Sequence, residues 1–419
     1  MVEYRPRIAD RELARLVAQQ PAVAVQGAKG VGKTATASRL ASSTVNLERE
    51  DVLDAVRADP ELLLTRPKPV FVDEWQSWPP VWNTVRRHVD DGAGAGSYLL
   101  AGSMVPRHAR VHSGAGRMVE FRMRPLSLAE RQLATPSVSL LDLLGGATDI
   151  KGETTVTFAD YVNEIVASGY PGIRALPASA RADRLAAYTE AIVTRDFEQY
   201  GQTVRRPATL RRWLAAYAAA TGTVASYSAI LDAATPGESN KPARATTVSY
   251  RDALAAMWLL DEVPAWSNGG EAFSRLSATP KHFLADPALA TTLLEISDED
   301  LLKPDLSDGA FAGIGGRLLE ALVGLSLQTY AQAAKARLSY LRTHDGRREI
   351  DFIVERRRTV VAIEVKQSRS IEAADVAHLL WLKARLGPRL ADAIVVTTGP
   401  TAYRRRDGIA VVPAALLGP

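Results

Sequence analysis

Short unbroken apolar runs mark the first hundred residues: "AVAV" at 22–25, "VFV" at 70–72 and "YLLA" at 98–101. Each is strand-length and ends in a polar or glycine-rich turn, the pattern of strands buried on both faces. In the middle of the chain the spacing changes. "ADRLAAYTEAIVTRDFEQY" (182–200) and "TLRRWLAAYAAATG" (209–222) place apolar residues every three or four positions, which predicts helices packed along one side. Further on, "REIDFIVERRRTVVAIEVKQS" (348–368) has a period of two. It predicts a hairpin turning at Arg357-Arg358, with Ile350, Phe352, Val354, Val361, Ile363 and Val365 on its core side.

On the other side of that hairpin Asp351 then faces Glu364, and Lys366 follows two residues later. Opposed carboxylates repel across a strand pair. The pair therefore needs a cation between its members or a neutral partner, and the cost points to a site. An edge hairpin with a solvated polar face is the alternative, and Arg-Arg is not a dipeptide that fixes a tight turn, so the register stays open.

The strongest motif lies upstream. In "AVAVQGAKGVGKTATASRL" a strand runs into Gly27, Ala28, Lys29, Gly30, Val31, Gly32, Lys33 and Thr34, and a helical stretch follows. This is the phosphate-binding loop in its required context. The backbone N–H groups of Gly27, Gly30, Val31 and Gly32 wrap a β-phosphate, Lys33 reaches the β and γ oxygens, and the Thr34 hydroxyl ligates Mg²⁺. "KPVFVDEWQ" supplies the partners: Asp73 at a strand end for Mg²⁺, and Glu74 to polarise an attacking water. That pairing implies hydrolysis of ATP. Ser103, closing "SYLLAGS", is expected between the two motifs as a γ-phosphate sensor or as a turn residue. Arg117 is the candidate for neutralising transition-state charge, with Arg122 and Arg124 nearby and simple pairing to acidic neighbours as the alternative. Trp75, Trp78 and Trp82 suit a core or an interface, and His108 and His112 suit a surface better than a metal.

Composition narrows the classes. The 419 residues allow roughly three domains, and 47% hydrophobic content is that of a folded protein. Without cysteine there is no disulfide framework, zinc ribbon or thiol nucleophile. A charged N-terminus and the lack of a long apolar run lead us to expect a cytoplasmic protein without a membrane partner. The net charge of +4 is mild. Clusters at Arg205, Arg206, Arg211 and Arg212, at Arg356, Arg357 and Arg358, and at Arg404, Arg405 and Arg406 suit either a solvated surface or a nucleic-acid backbone.

The series "GAKGVGKT", "VFVDEWQ", "LLAGS", "GAGRMVEFRMRPLSLAE" and "SGYPGIR" resembles the prokaryotic AAA-type P-loop ATPases that carry a DUF4143 tail, in matching order along nearly the whole chain. The resemblance implies an α/β chain: a P-loop ATPase sheet over 1–155, a helical and winged-helix region over 156–270, and a PD-(D/E)XK (restriction-endonuclease-like) domain over 271–419. "SYSAILDAA" and "TTVSYRDALAAMWLLDEVPAW" read as the helix, loop, helix and short strand of a winged helix, although the polar insert "TPGESNKPARA" is long for reading DNA. The nuclease-like pattern falls on Glu320, Asp351, Glu364 and Lys366. It implies carboxylates holding Mg²⁺ or Mn²⁺ and a lysine that positions the nucleophile. Two functions follow from it. Either ATP turnover controls a metal-dependent nuclease acting on DNA, or the chain is an ATP-driven, oligomerising switch whose tail docks a partner.

Overall fold

The computed structural model describes residues 4–63, 65–104, 114–235, 244–266, 279–303 and 313–419. His108, His112 and most of the polar insert at 235–245 lie outside the described residues. Five strands form the first sheet: β1 (Ala22–Gln26), β2 (Ser43–Asn46), β3 (Val70–Asp73), β4 (Tyr98–Gly102) and β5 (Val119–Arg122). They run parallel in the order β2-β3-β4-β1-β5. Every residue of β1, β3 and β4 is buried, as their unbroken apolar runs require. Because β4 separates β1 from β3, the turns after these three strands open side by side at one end of the sheet.

Helices follow, among them Pro207–Ala219, Tyr227–Ala234 and Arg244–Ala256. The short strand expected after them is a backbone ladder of single bridges, Leu260 with Leu284 and Val263 with Lys281. Two small strands, β6 (Val138–Ser139) and β7 (Gly152–Glu153), come before this region and pair far ahead in the chain.

The remaining strands are β8 (Arg337–Arg342), β9 (Glu349–Arg356), β10 (Thr359–Lys366), β11 (Leu390–Thr397), β12 (Thr401–Arg404), β13 (Ala410–Pro413) and β14 (Leu417–Gly418). With β7 they form a mixed sheet ordered β7-β12-β13-β11-β10-β9-β8, while β14 pairs with β6. The residues near 155 are thus stitched to the C-terminal sheet. Helix Ile314–Ala333 packs on one face and helix Ala377–Leu386 on the other, so both faces of β9 and β10 are buried. This corrects the picture of a hairpin with a single core side. Gly324 gives that packing its closeness: a Cβ there would lie 2.9 Å from Cζ of Phe352.

The hairpin turns at Arg357-Arg358, and Arg357 takes φ 59°. Its last paired residues are Ile363 and Phe352, which brings Asp351 opposite Glu364 as the two-residue turn demands. One detail differs from strict alternation. Between Ser339–Ile353 and Leu341–Ile350 the β8–β9 register shifts by one, so Asp351 and Phe352 together oppose Tyr340. This bulge turns Ile350 into the core of the opposite face, away from Phe352 and Val354, and re-aims Asp351.

Buried ion pairs tie the parts together. Asp261, at 6% exposure, receives Arg122 Nη1 at 3.0 Å and Arg124 Nε at 2.6 Å, joining the end of β5 to the ladder segment. Removing one partner of such a pair strands the others out of water. Asp261→Ala should therefore cost about 3 kcal/mol, read as a lowered urea midpoint. Asp149→Ala, which breaks an exposed pair with Lys151, should leave the midpoint nearly unchanged.

Candidate functional site

Gly27 opens the loop after β1 with φ 154°, and a Cβ there would lie 2.3 Å from the carbonyl oxygen of Met123, so only glycine fits beneath β5. Gly30 and Gly32 have φ 83° and 97°, and Lys33 and Thr34 begin the helix Lys33–Ala37. Buried Lys33 donates from Nζ to the carbonyl oxygens of Gly27 at 2.9 Å and Ala28 at 3.1 Å, and to Ser103 Oγ at 3.0 Å. Ser103 therefore stands beside the loop as expected from its strand. Thr34 Oγ1 donates to Asp73 Oδ1 at 3.1 Å, so the two oxygens assigned to Mg²⁺ from the sequence already adjoin one another. These donors suit the ion: one hydroxyl and one carboxylate leave room for the waters and phosphate oxygens that Mg²⁺ prefers.

Glu74 has a left-handed backbone, φ 52°, a strained setting for a non-glycine residue at a functional turn. Burial raises its carboxyl above the usual range, and Gln76 Nε2 donates to it. Burial raises Asp73 in the same way. A carboxylate of raised affinity for protons, beside the phosphate loop and its Lys33, is equipped to take a proton from water. Trp75 and Trp82 are core residues with rings 4.8 Å apart, and a Cβ on Gly102 would lie 2.4 Å from Trp75 Nε1.

Arg117 lies elsewhere. It precedes β5, whose residue Val119 aligns with Val23 near the start of β1, whereas the loop, Asp73 and Ser103 all lie at strand C-terminal ends. The guanidinium is bound to Asp90 at 2.7 Å at the opposite end of the sheet. Action on a phosphate bound in the same chain does not fit this placement. Arg122 and Arg124, at the end of β5 on the loop side, are both engaged by Asp261.

Several residues at the site have no motif. Buried Arg7 donates to the Val31 carbonyl oxygen at 2.9 Å and pairs with Glu130 at 2.9 Å, bracing the loop from the N-terminal segment. Lys29 pairs with Asp196 at 2.9 Å, and the Tyr188 hydroxyl donates to the Lys29 carbonyl oxygen at 3.1 Å. The Tyr170 ring would lie 3.7 Å from a Cβ on Gly30. A cavity of about 230 Å³ opens next to Gly32 and Thr36, between Tyr4, Arg5 and Arg174. The middle helices therefore close directly onto the phosphate loop.

In the C-terminal domain, Glu320, Asp351, Glu364 and Lys366 gather at one end of the sheet. Lys281, which no motif singled out, stands among them. Its Nζ lies 2.6 Å from Glu320 Oε1, 2.9 Å from Asp351 Oδ1 and 3.4 Å from Glu349 Oε1. Burial alone would lower its pKa, but the charges of Asp351 and Glu320 outweigh that and raise it, so it is an ammonium. The other Asp351 oxygen accepts the Val365 N–H at 2.9 Å, and Lys366 binds Glu364 at 3.0 Å. Burial, with the Asp351 charge, raises both Glu320 and Glu364. Among the described residues, no group of three or more His, Asp or Glu side chains could hold a metal ion. The residues present here do not fit the metal centre that the resemblance implied. Of the basic clusters, Arg404 is bound to Asp392, Arg405 to Asp407 and Arg211 to Glu190. Among the described residues no helix is long and apolar enough to cross a membrane.

Family models match three stretches of the chain: an AAA domain at residues 19–132, a domain of unknown function (DUF8612) at 158–300, and a domain of unknown function (DUF4143) at 315–417. Curated proteins give no match. Among solved structures, a Walker-type ATPase of Pyrococcus abyssi shares 14% identity over 69% of this chain and 96% of its own, with a TM-score of 0.40. The ORC2 protein of Aeropyrum pernix, in ADPNP-ADP complexes, shares 16% over 72% and 96%, with a TM-score of 0.31. Scores of this size do not establish a common architecture. The AAA match over the phosphate loop and its acidic partners makes the protein an ATPase.

Burial lowers the Lys33 ammonium to about 8. Lys33 is charged below that pH and neutral above it, and ATP needs the charge. ATP affinity should therefore hold to pH 7.5 and then weaken roughly tenfold per pH unit above 8. Equilibrium binding from pH 7 to 9.5 checks this, and a flat profile would contradict it.

Proposed function

We propose that this AAA-domain ATPase uses ATP turnover to change how its C-terminal domain is presented to a partner. Lys33 and the loop amides hold the phosphates, Thr34 and Asp73 hold Mg²⁺, and Glu74 takes the proton of the attacking water. Bound there, Mg²⁺ supplies positive charge against the phosphate oxygens. Arg117, exposed on the far end of the sheet, serves a phosphate only from a neighbouring copy, which makes a homo-oligomer part of this reading.

One observation carries the coupling. The strap Thr279–Asp286 touches both sites. Near its start, Lys281 is held by Glu320 and Asp351. At its end, Asp286 accepts the Gly169 N–H at 2.6 Å, next to the Tyr170 ring that faces Gly30 of the phosphate loop. Between them, the His282 ring is bound to the Ala225 carbonyl oxygen at 2.8 Å, and its backbone pairs with Thr223 and Gly222. A displacement of Gly30 by phosphate binding bears on Tyr170, and through Gly169 on the strap. Buried elements packed this closely pass on such shifts as discrete rearrangements.

A second reading, metal-dependent cleavage of DNA, draws on the gathering of Glu320, Asp351, Glu364 and Lys366 at one end of a sheet flanked by helices, a layout similar to PD-(D/E)XK enzymes. The ammonium of Lys281 among those carboxylates weighs against it. So do the local ion pairs of Arg404, Arg405 and Arg211.

Glu74→Gln should retain ATP binding and lose hydrolysis by roughly a hundredfold or more. Supercoiled and single-stranded DNA should stay intact with Mg²⁺ or Mn²⁺, with or without ATP, while a non-hydrolysable ATP analogue changes the mass or shape of wild type in light scattering and not that of Lys33→Ala. Cutting that Asp351→Ala abolishes would replace the first reading with the second.

A further inference from the structure

We infer that Lys281 is the resident cation of the C-terminal carboxylate cluster and takes the place that a divalent metal would occupy. The ammonium has three donors, and three carboxylate oxygens surround it, from Glu320, Asp351 and Glu349 at 2.6, 2.9 and 3.4 Å. Its side chain is 1% exposed. The backbone fixes its position. Lys281 N donates to the Val263 carbonyl oxygen at 2.9 Å, and Val263 N donates back at 3.0 Å, so the residue enters the cluster from a paired ladder and not from a free loop.

Mg²⁺ asks for about six oxygens at about 2.1 Å, and both Asp351 oxygens and one of Glu364 are already committed, while Glu364 Oε2 is buried without a hydrogen-bond partner. Asp351 gives one to Lys281 and the other to the Val365 N–H, and Glu364 holds Lys366. An entering ion would have to expel Lys281 and leave its ammonium buried without partners. The repulsion between Asp351 and its carboxylate neighbours is therefore answered from within the chain, by a residue 70 positions away in sequence. It follows that taking this ammonium away leaves a vacancy with the charge and the ligands of a divalent site.

The test uses the full chain carrying Thr34→Val, which removes the loop hydroxyl from any Mg²⁺ or Mn²⁺ binding, without nucleotide. Mn²⁺ binding is followed by electron paramagnetic resonance and calorimetry, with melting temperature alongside. Without a change at Lys281, the protein should show no Mn²⁺ site that depends on Asp351, and 5 mM Mn²⁺, roughly the concentration needed to fill a weak oxygen-ligand site, should not raise its melting temperature. Lys281→Met should melt lower, gain one Mn²⁺ site that Asp351→Ala removes, and recover roughly 3 °C or more when Mn²⁺ is added. A Mn²⁺ site in the chain with Lys281 intact that Asp351→Ala abolishes would overturn the inference. So would a folded Lys281→Met that binds no Mn²⁺. If Lys281→Met does not fold, the comparison with Lys281 intact decides alone. The inference goes beyond partner docking: ion occupancy is read without a partner, so loss of the docking reading would leave this result standing.

Discussion

Charge taken out of water must be met by opposite charge, and the joints of this protein are built on that constraint. Arg7 meets Glu130 beneath the phosphate loop, Asp261 meets Arg122 and Arg124 at the end of β5, and Lys281 meets Glu320 and Asp351 in the C-terminal domain. Arg131, wholly buried, reaches Glu164 at 3.2 Å and lies 3.7 Å from Asp286. Each pair joins segments distant in sequence. Hydrophobic packing fills the sheets and helices, but it is non-directional. The ion pairs fix which surface meets which, because a slip at any of them would leave a buried charge alone.

The parallel sheet imposes the second constraint. Loops after parallel strands share one end, so the order β2-β3-β4-β1-β5 sets Ser103 between the phosphate loop and Asp73 without any further device. The same rule puts a residue that precedes a strand, such as Arg117, at the other end. The C-terminal sheet is covered on both faces, and there a bulge at Asp351-Phe352 re-aims the acidic side chain toward the helix that carries Glu320.

What the sequence made legible was local. The phosphate loop with its flanking strand and helix, and the Asp73-Glu74 strand end, could be read because their chemistry lies in contiguous residues. The hairpin register stayed open in the sequence because Arg-Arg does not fix a tight turn; the turn is two residues long, and Asp351 does face Glu364. The bulge escaped because it arises in the pairing of β9 with β8, a different segment. Lys281, Arg7 and Asp286 escaped for a related reason: each is a lone charged residue whose partners lie 70, 123 and 117 positions away, and in sequence it looks like surface. Sequence reasoning asked for a cation between Asp351 and Glu364 or for a neutral partner, and the resemblance supplied a metal. The ammonium that meets Asp351 and Glu320 sits in another stretch of chain.

The coupling of the two sites is tested most directly by amide hydrogen exchange across residues 279–286, with and without a non-hydrolysable ATP analogue, in wild type and Lys33→Ala. Lys281 N and His282 N are bonded to the Val263 and Thr223 carbonyl oxygens, so their exchange reports opening of the strap. The coupling predicts that the analogue changes exchange here in wild type and leaves Lys33→Ala unaltered. Identical exchange in wild type with and without the analogue, under conditions where binding is saturated, would contradict it.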